Sequence, residues 1–553
     1  MSRPCAPAGR GASGAGGTLT AAAGSRPPSP VPRPMHFDLC IIGAGVGGGA
    51  LAQALAATGR SILLLNRQGS LPREAANWDP HELFVNARYR SEETWVDGHT
   101  GDRFRPGMYY WLGGNTKVYG SALLRLPPRD FETLETLDGT SPAWPITYGD
   151  LAPFYDQAEA VYHVHGDRGT NPFEPPADGP FPHPPIAHDP RIAEVATRLH
   201  EQGVEAFPLP MGVKFSEDRP GDGPFILRET FAAMGRAAFD GYPDLLHLKT
   251  DAEVASVLPA TAHDNVHLVT DALVTRIVTN AAGTDITHVE ATVDGEPTTF
   301  SADVFALCAG AIQSAALLLR SASDTHPDGL ANGSGRVGRH LMRHVTSKFY
   351  TAHAGTPNPT RFQKTLAIND YYFGVPGDPQ WEGIPLGHVH LMGKHAGWQI
   401  LADLPDGTLS PAEADAFADT SVDWWVQGED LPLLENRVAL TAAGDIALHY
   451  RETNRAAQTA LMDVLEAKLR EQGFDRFLRV PMPLGVVNHQ CGTCRMGTDP
   501  TESVVDVAGK AHDLGNLYIA DASVFPSSGA TNPTLTIAAN AFRVADGLAR
   551  DVL

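Results

Sequence analysis

The chain has 553 residues, too many for one compact core, so we expect more than one domain. Hydrophobic residues make up 42% and charged residues 19%, which is ordinary for a globular protein. Its 42 basic and 64 acidic side chains give a formal net charge of −22, which argues against nucleic acid and anionic membranes as partners. No apolar run reaches the roughly 18 residues that a membrane helix requires.

The cysteines are few and scattered: Cys5, Cys40, Cys308, Cys491 and Cys494. This spacing does not form a disulfide framework, so we expect a reducing, cytoplasmic location.

The first 34 residues are rich in Ala, Gly, Pro and Ser, and they contain no acidic residue. They lack the apolar core of a signal peptide, and their composition predicts a disordered leader. An alternative is that translation starts at Met35, directly before the first predicted strand.

Residues 37–42 (FDLCII) predict a buried strand, which runs into the G-x-G-x-x-G of Gly43, Gly45 and Gly48. A helix over 46–58 and a second buried strand over 61–65 follow. In this order Gly43 makes the tight turn, Gly45 lets a pyrophosphate approach the backbone, and Gly48 lets the helix pack on the strand. The motif predicts a dinucleotide site, with a structural glycine turn as the alternative.

The second strand ends in Asn66, where Asp or Glu usually accepts the ribose hydroxyls. An amide oxygen can also accept, so we expect Asn66 to contact the ribose. The fingerprint alone does not separate FAD from NAD.

Beyond this point the sequence predicts a fold of α/β class with interleaved segments. Nucleotide-binding parts are predicted over 35–129, 235–345 and 485–553. The intervening segments, 130–234 and 346–484, are rich in Pro and aromatic residues and predict a second, substrate-binding domain. Asp294 and Gly295 predict a hairpin turn, and residues 454–472 predict an amphipathic surface helix.

Near the C-terminus, residues 517–520 predict a strand with Asp521 at its carboxyl end, where ligands sit in such sheets. Asn532 and Pro533 then open a helix that runs to about residue 550, with Pro533 at its first position. Asn532 either caps this helix or faces a ligand, and both roles can hold together.

Four segments carry a resemblance to a known family: residues 111–120 (WLGGNTKVYG), 304–321 (VFALCAGAIQSAALLLRS), 487–497 (VNHQCGTCRMG) and 516–546 (NLYIADASVFPSSGATNPTLTIAANAFRVAD). Together with the glycine fingerprint they resemble the glucose–methanol–choline (GMC) oxidoreductases, FAD enzymes that oxidise alcohols and sugars. The resemblance extends from about residue 37 to the C-terminus and is looser in the middle. It implies a Rossmann-like FAD-binding domain built from discontinuous segments, beside a second substrate-binding domain.

The resemblance also implies the site residues. Oxidation of a CH–OH group requires a base for the hydroxyl proton, and the family's catalytic histidine matches His489, whose pKa suits that task. The family's second polar residue matches Asn532 and would hydrogen-bond the same oxygen. The predicted FAD-binding residues are Gly43, Gly45, Gly48, Asn66, Gly114, Asn115, Val274, Asp521, Pro533 and Thr534.

His489, Cys491 and Cys494 also allow two other interpretations. They can be read as part of a zinc site, with His512 as a further ligand, or the cysteines as a redox dithiol. Packing cysteines fit the surroundings better, because a second ligand pair and a thioredoxin-like setting are both missing. We therefore expect no metal.

Some members of the family attach flavin covalently through a His that would fall at or near Val118. Residues 113–120 contain no His, so the flavin is expected to be non-covalent.

Several strings, such as residues 71–79 (LPREAANWD) and 141–145 (SPAWP), resemble the bacterial pyranose-oxidase and C-glycoside-oxidase branch. They favour a pyranose or glycoside substrate, with oxygen or another electron acceptor. A non-sugar alcohol, an NAD-dependent dehydrogenase and a non-catalytic flavoprotein remain alternatives. His344, Gln363, Tyr371 and the tryptophans at 381, 398, 424 and 425 are not assigned to the site.

Overall fold

The computed structural model describes residues 36–214, 239–244, 246–360, 362–486 and 488–553. The predicted leader, the alternative start at Met35 and the predicted domain boundary at residues 234–235 lie outside these ranges.

The α-helices are Val46–Ala56 (α1), Tyr148–Val161 (α2), Pro190–Glu201 (α3), Leu258–Thr261 (α4), Ala311–Arg320 (α5), Gly397–Asp403 (α6), Pro411–Ala418 (α7), Arg455–Glu471 (α8) and Thr534–Asp551 (α9). The strands are His36–Ile42 (β1), Ile62–Leu65 (β2), Trp95–Asp97 (β3), Arg103–Phe104 (β4), Leu134–Glu135 (β5), Thr140–Ser141 (β6), Val164–His165 (β7), Phe207–Pro208 (β8), Met211–Gly212 (β9), Val266–Val269 (β10), Ala272–Thr279 (β11), Ile286–Val293 (β12), Glu296–Leu307 (β13), Val345–Ala352 (β14), Leu366–Ile368 (β15), His388–Leu391 (β16), Ser421–Gly428 (β17), Arg437–Leu440 (β18), Ile446–His449 (β19), Arg476–Pro481 (β20) and Leu517–Ile519 (β21). Short 3-10 or π turns cover Ala75–Trp78, His81–Val85, Gly114–Lys117, Pro128–Phe131, Glu253–Val257, Leu484–Val486 and Ala522–Val524.

The first sheet is parallel in the order β10-β2-β1-β13-β21. β2 is wholly apolar and buried, as expected for a strand covered on both faces. α1 packs against α9, and both helices bury their apolar side chains. This arrangement confirms the predicted α/β fold class, and it places the ends of β1, β2, β13 and β21 at one edge of the sheet.

Strand β13 belongs both to the parallel sheet and to an antiparallel meander. Its first residues pair antiparallel with β12, whereas its last residues pair in parallel with β1 and β21. Asp294 and Gly295 connect β12 to β13 with φ values of +49° and +86°, which confirms the predicted hairpin turn. The β-meander β11-β12-β13 is therefore continuous with the nucleotide-binding sheet.

The second large sheet has the order β20-β14-β17-β16-β15-β8 and is antiparallel. One face, which includes Phe349 and Trp424, packs in an apolar cluster with α3 and α8. α8 agrees with the predicted amphipathic surface helix, because Leu461, Leu465 and Leu469 of its apolar face are buried in this cluster. The predicted domain boundaries stay a prediction.

The opposite face of the second sheet is polar in part, since a smaller apolar cluster on that side includes Tyr350 and Ala352. Lys348 on β14 lies directly across from Trp425 on β17, which lies across from His390 on β16. Side chains alternate between the two faces of a strand, so the residues next to this row point into the apolar cluster. Within the described ranges, no helix is long and apolar enough to cross a membrane.

Candidate active site

A cavity of about 1060 Å³ lies between the carboxyl edge of the first sheet and the polar face of the second. Eleven of the twelve residues assigned to the site from the sequence line it: His489, Asn532, Gly43, Gly45, Asn66, Gly114, Asn115, Val274, Asp521, Pro533 and Thr534. Gly48, the exception, lies buried behind the glycine loop. Segments far apart in the chain therefore meet at one site.

The glycine loop has the geometry that its spacing predicts. Gly43 has φ +104°, and a Cβ atom there would lie 2.5 Å from the carbonyl oxygen of Cys308. A Cβ atom on Gly48 would lie 1.8 Å from the carbonyl oxygen of Gly43, so the helix and the turn touch. At Gly45, by contrast, a Cβ atom would meet nothing within 4 Å. Gly45 thus leaves open space beside the N-terminus of α1, which fits a pyrophosphate.

Asn66 is oriented differently from our expectation. Its Oδ1 accepts a hydrogen bond from the Ala44 amide (3.0 Å), and its Nδ2 donates to the carbonyl oxygens of Gln68 (2.7 Å) and Tyr110 (3.0 Å). The amide therefore braces the glycine loop, although the residue still lines the cavity. An amide at this position can satisfy both donors and acceptors of the loop, which a carboxylate cannot.

A carboxylate that was not predicted lies in the same part of the cavity. Glu93 accepts hydrogen bonds from Tyr110 (2.6 Å) and Gln313 (3.0 Å) and pairs with Arg67 (3.2 Å). Burial raises the pKa of this carboxyl, but the Tyr110 hydrogen bond and the Arg67 charge together bring it below its usual value. No sequence motif marked Glu93, because it lies between short elements.

Gly114, Asn115 and Val274 complete this wall. Gly114 has φ +59°, and a Cβ atom there would lie 3.7 Å from Cα of Gly45. Asn115 Oδ1 accepts from the Tyr109 amide (3.0 Å), and Val274 lies on β11 beside a register shift. Two glycine segments from different parts of the chain therefore contact one another directly at this wall, where the Gly113 amide donates to the carbonyl oxygen of Ala44 (2.9 Å).

Asp521 ties two loops together at the end of β21. Its Oδ2 accepts from the Gly310 amide (2.8 Å) and from Ser314 Oγ (2.6 Å), and its Oδ1 accepts from the Ser523 amide (2.8 Å). The helix that follows begins at Thr534 with Pro533 at its cap position, one residue later than predicted, and has no side-chain cap. Asn532 therefore does not cap α9.

His489 is placed by a short antiparallel pairing. Met342 and Cys491 exchange two backbone hydrogen bonds, of 3.0 and 2.9 Å. In the same antiparallel register, His344, two residues after Met342, lies opposite His489, two residues before Cys491. His489 has φ +53°, a left-handed conformation that is uncommon outside glycine and often marks functional sites.

The ring of His489 is half-buried at the cavity wall. Its Nδ1 lies 2.9 Å from Nδ1 of His344, and the two rings meet edge to face at 4.9 Å. Its Nε2 has no hydrogen-bond partner among the described residues. Burial lowers the pKa of His489 well below its usual value. The nearby His344, Lys364 and Arg343 lower it further. The imidazole is thus neutral and can accept a proton.

Asn532 is held by Gln427 on β17. Nε2 of Gln427 donates to the carbonyl oxygen of Ala530 (2.8 Å) and to Oδ1 of Asn532 (3.3 Å), while its Oε1 accepts from Nε1 of Trp425 (2.9 Å). An indole only donates and a carbonyl only accepts, so these contacts fix both amide orientations. Nδ2 of Asn532, which has no partner within the described ranges, is available as a donor.

Two ion pairs line the outer part of the cavity. Lys348 contacts both carboxylate oxygens of Asp403 (2.9 and 2.7 Å), and Lys364 contacts Asp240 (2.6 Å). Beside them, Nδ1 of His390 donates to a backbone carbonyl, so its Nε2 is a hydrogen-bond acceptor, and it has no partner in the described chain. This region is polar but balanced in charge.

The cysteines near His489 are buried free thiols. Burial raises the pKa of both Cys491 and Cys494, which disfavours the thiolate that metal or redox chemistry needs. His512, proposed from the sequence as a further ligand, bonds Ser503 instead (2.8 Å). Across the described residues, no group of three or more His, Cys, Asp or Glu side chains is placed to hold a metal ion.

The aromatic residues left unassigned from the sequence divide between two surroundings. Trp398 and Trp425 line the cavity, whereas Trp424 lies in the apolar cluster of the second sheet, and Tyr371 and Trp381 pack against that cluster. Gln363 is buried outside the cavity lining. The register of β17 decides which of two adjacent tryptophans faces the site, and this register cannot be read from local sequence.

Comparison with known proteins agrees with this geometry. Two family models described as GMC oxidoreductase match residues 235–346 and 407–541. Paromamine 6'-oxidase from Streptomyces fradiae is 29% identical over 550 residues, covering 94% of this chain and 92% of that protein. Fructose dehydrogenase large subunit from Gluconobacter japonicus is 25% identical, covering 94% and 98%. The solved structure of pyridoxine 4-oxidase from Mesorbium loti superposes with a TM-score of 0.62 at 18% identity, covering 93% and 99%, and shows the same fold.

Proposed function

This chain belongs to the GMC oxidoreductase family and is an oxidoreductase acting on CH–OH donors, and on that basis we propose that it oxidises a ring CH–OH group of a pyranose or glycoside to a ketone. His489 removes the hydroxyl proton, Asn532 donates a hydrogen bond to the same oxygen, and FAD, when bound, would accept the hydride.

One observation carries this proposal. The unpartnered Nε2 of His489 and the free Nδ2 of Asn532 belong to side chains on the wall of the cavity that also contains the Gly43–Gly45 loop. An acceptor and a donor facing one space suit a hydroxyl that becomes an alkoxide and then a carbonyl. The lowered pKa of His489 keeps the base unprotonated at neutral pH.

FAD fits the nucleotide end of the cavity, because the space beside Gly45 is open. Any side chain at this position would fill that space. The amides at the start of α1, the loop at Gly114 and Asn115, and the N-terminus of α9 would hold it. FAD, when bound, supplies the hydride acceptor. We propose non-covalent attachment because Val118, which lines the cavity, stands where some relatives carry the linking His. Acid precipitation tests this: colour that stays with the protein pellet contradicts it.

The outer part of the cavity supports a neutral, polyhydroxylated substrate. Both carboxylates in this region are already paired with lysines, so a cationic substrate would have to break an ion pair to be bound. Nε2 of His390 and the Trp425 ring offer a hydroxyl acceptor and an apolar face, a combination that suits a sugar. A relative named fructose dehydrogenase is consistent with this class.

The decisive experiment is anaerobic mixing of the purified yellow protein with a panel of pyranoses, glycosides and non-sugar alcohols. We expect pyranoses or glycosides in this panel to bleach the flavin. Bleaching only by simple alcohols would overturn the sugar proposal and leave the CH–OH chemistry intact. A colourless protein that cannot take up flavin would overturn the FAD assignment. Reoxidation of the bleached enzyme by oxygen, or only by a quinone or dye, then separates oxidase from dehydrogenase.

We also propose a reducing compartment, the cytoplasm. In the described part of the chain, Cys40, Cys308, Cys491 and Cys494 are buried thiols without disulfide partners, which supports this location.

A further inference from the structure

His344 stands between His489 and a backbone carbonyl. Its Nε2 lies 3.2 Å from the carbonyl oxygen of Ser528, and its Nδ1 lies 2.9 Å from Nδ1 of His489. A carbonyl oxygen can only accept, so Nε2 of His344 carries the proton and donates it. A neutral imidazole has one N–H, and Nδ1 of His344 is therefore an acceptor. The proton shared with His489 must then belong to Nδ1 of His489.

We propose that His344 is a positioning residue that fixes His489 in the tautomer whose Nε2 is unprotonated and faces the substrate. This inference rests on the proposed function for the identity of the base, but the chain of hydrogen bonds that carries it lies entirely within the protein. The carbonyl of Ser528 sets the tautomer of His344, and His344 sets the tautomer of His489.

The relay needs His344 to stay neutral, and its surroundings ensure this. The ring is 1% exposed, and burial lowers the pKa of His344 to about 4. Hydrogen bonds with Ser528, Gln427 and Gly529 act in the opposite direction and raise this pKa, but the effect of burial outweighs them. A protonated His344 would donate from both nitrogens and would turn Nδ1 of His489 into an acceptor, leaving the proton on the wrong nitrogen.

The relay also accounts for the proton after the reaction. The substrate O–H bond breaks, an Nε2–H bond forms on His489, and the imidazolium then donates from Nδ1 to the lone pair of His344. A hydrogen bond from a charged donor is shorter and stronger than one from a neutral donor. His344 therefore stabilises the product state as well as the reactive tautomer, without touching the substrate.

Two variants separate this role from packing. His344→Leu fills the space but offers neither donor nor acceptor, whereas His344→Gln retains both in one amide. Because loss of a general base costs about 10²- to 10⁴-fold, we expect anaerobic flavin reduction to slow by about 10- to 100-fold in the Leu variant and to recover to within about tenfold of the native rate in the Gln variant. Substrate affinity should change much less than the rate.

Flavin reduction by His344→Leu at the native rate would overturn the proposal. A folded His344→Gln variant that reduces flavin as slowly as His489→Ala would also overturn the proposal. This comparison decides the question even if His344→Leu does not fold. Thermal unfolding and flavin content of each variant establish that the comparison is between folded enzymes.

A second readout needs neither substrate nor turnover. Diethyl pyrocarbonate acylates an unprotonated imidazole nitrogen, and mass spectrometry of the purified protein gives the rate at each His. We expect acylation of His489 to slow by about twofold or more in the Leu variant, where two tautomers compete, and to recover in the Gln variant. Surface-exposed His263 should react equally in all three proteins. Equal rates at His489 would overturn the tautomer assignment even if the substrate class proposed above is wrong.

Discussion

Gln427 donates a hydrogen bond from Nε2 to Oδ1 of Asn532 across 3.3 Å, and the Trp425 indole fixes which end of the Gln427 amide does so. Gln427→Glu keeps the shape but removes the donor. We expect Asn532 to lose its fixed orientation. Flavin reduction by substrate should slow by about 10- to 100-fold, less than the about 10²- to 10³-fold for complete loss of one donor to a developing oxyanion, because Asn532 itself remains. Stopped-flow reduction measures this, with Asn532→Asp as the matched comparison. Native rates in the Glu variant would contradict the role of Gln427.

His489→Ala should keep its flavin colour and lose flavin reduction by about 10² to 10⁴, the usual contribution of a general base. His263→Ala, on the exposed surface, is the control for removal of an imidazole. Reduction of the His489 variant at near the native rate would mean that the proton goes to another group.

The glycine loop offers a matched pair of substitutions. Gly48→Ala places a methyl group 1.8 Å from a carbonyl oxygen, so we expect poor folding or a clearly lower melting temperature. Gly45→Ala meets nothing within 4 Å, so we expect a folded protein that binds FAD more weakly. Thermal melts and flavin titration of the two variants measure these effects. Equal flavin affinity in native and Gly45→Ala protein would contradict the predicted pyrophosphate site.

Lys348→Met leaves Asp403 without its cation on the cavity wall. We expect the ratio of kcat/KM for amino sugars over neutral sugars to rise by about tenfold, because the exposed carboxylate then attracts an ammonium group. The double variant with Asp403→Asn should return the ratio to near its native value. If the ratio is the same in all three proteins, the substrate does not reach this ion pair.

Glu429 is buried beside Ser141 and Asp430, and burial raises its pKa to about 7 from an ordinary value of 4.5. Because the folded protein holds this proton more tightly than the unfolded chain, stability from this group is present below pH 4.5 and is lost as the pH rises through about 7. Glu429→Gln should therefore gain up to about 3 kcal/mol over the native protein between those limits. Denaturant unfolding at pH 5 and pH 8 measures this, and an equal difference at both would be inconsistent with it.

The nucleotide-binding part of the fold could be predicted because its signals are local. The strand before Gly43, the glycine spacing and the strand before Asn66 lie within one short stretch, and glycine is required where a Cβ atom would collide. The α/β class and the family were confirmed. Eleven of the twelve site residues named from the sequence line one cavity, and their roles stay predictions.

The supporting residues could not be predicted, because long-range pairing creates them. His344 meets His489 only through the pairing of Met342 with Cys491, and Gln427 meets Asn532 only because β17 lies beside the cavity. β14 and β17 are buried along nearly their whole length on both faces, so burial does not show which of their side chains face the cavity. A shift of one residue in β17 would exchange the environments of Trp424 and Trp425.

The position of β21 has a consequence for how the site is assembled. β21 pairs with β13 at the edge of the parallel sheet, and the segment that follows it leads to α9. Asp521 and Asn532 therefore reach the cavity from one continuous stretch of chain. Proteolytic cleavage between β13 and β21 would remove both side chains from the site together, and we expect such a protein to be inactive.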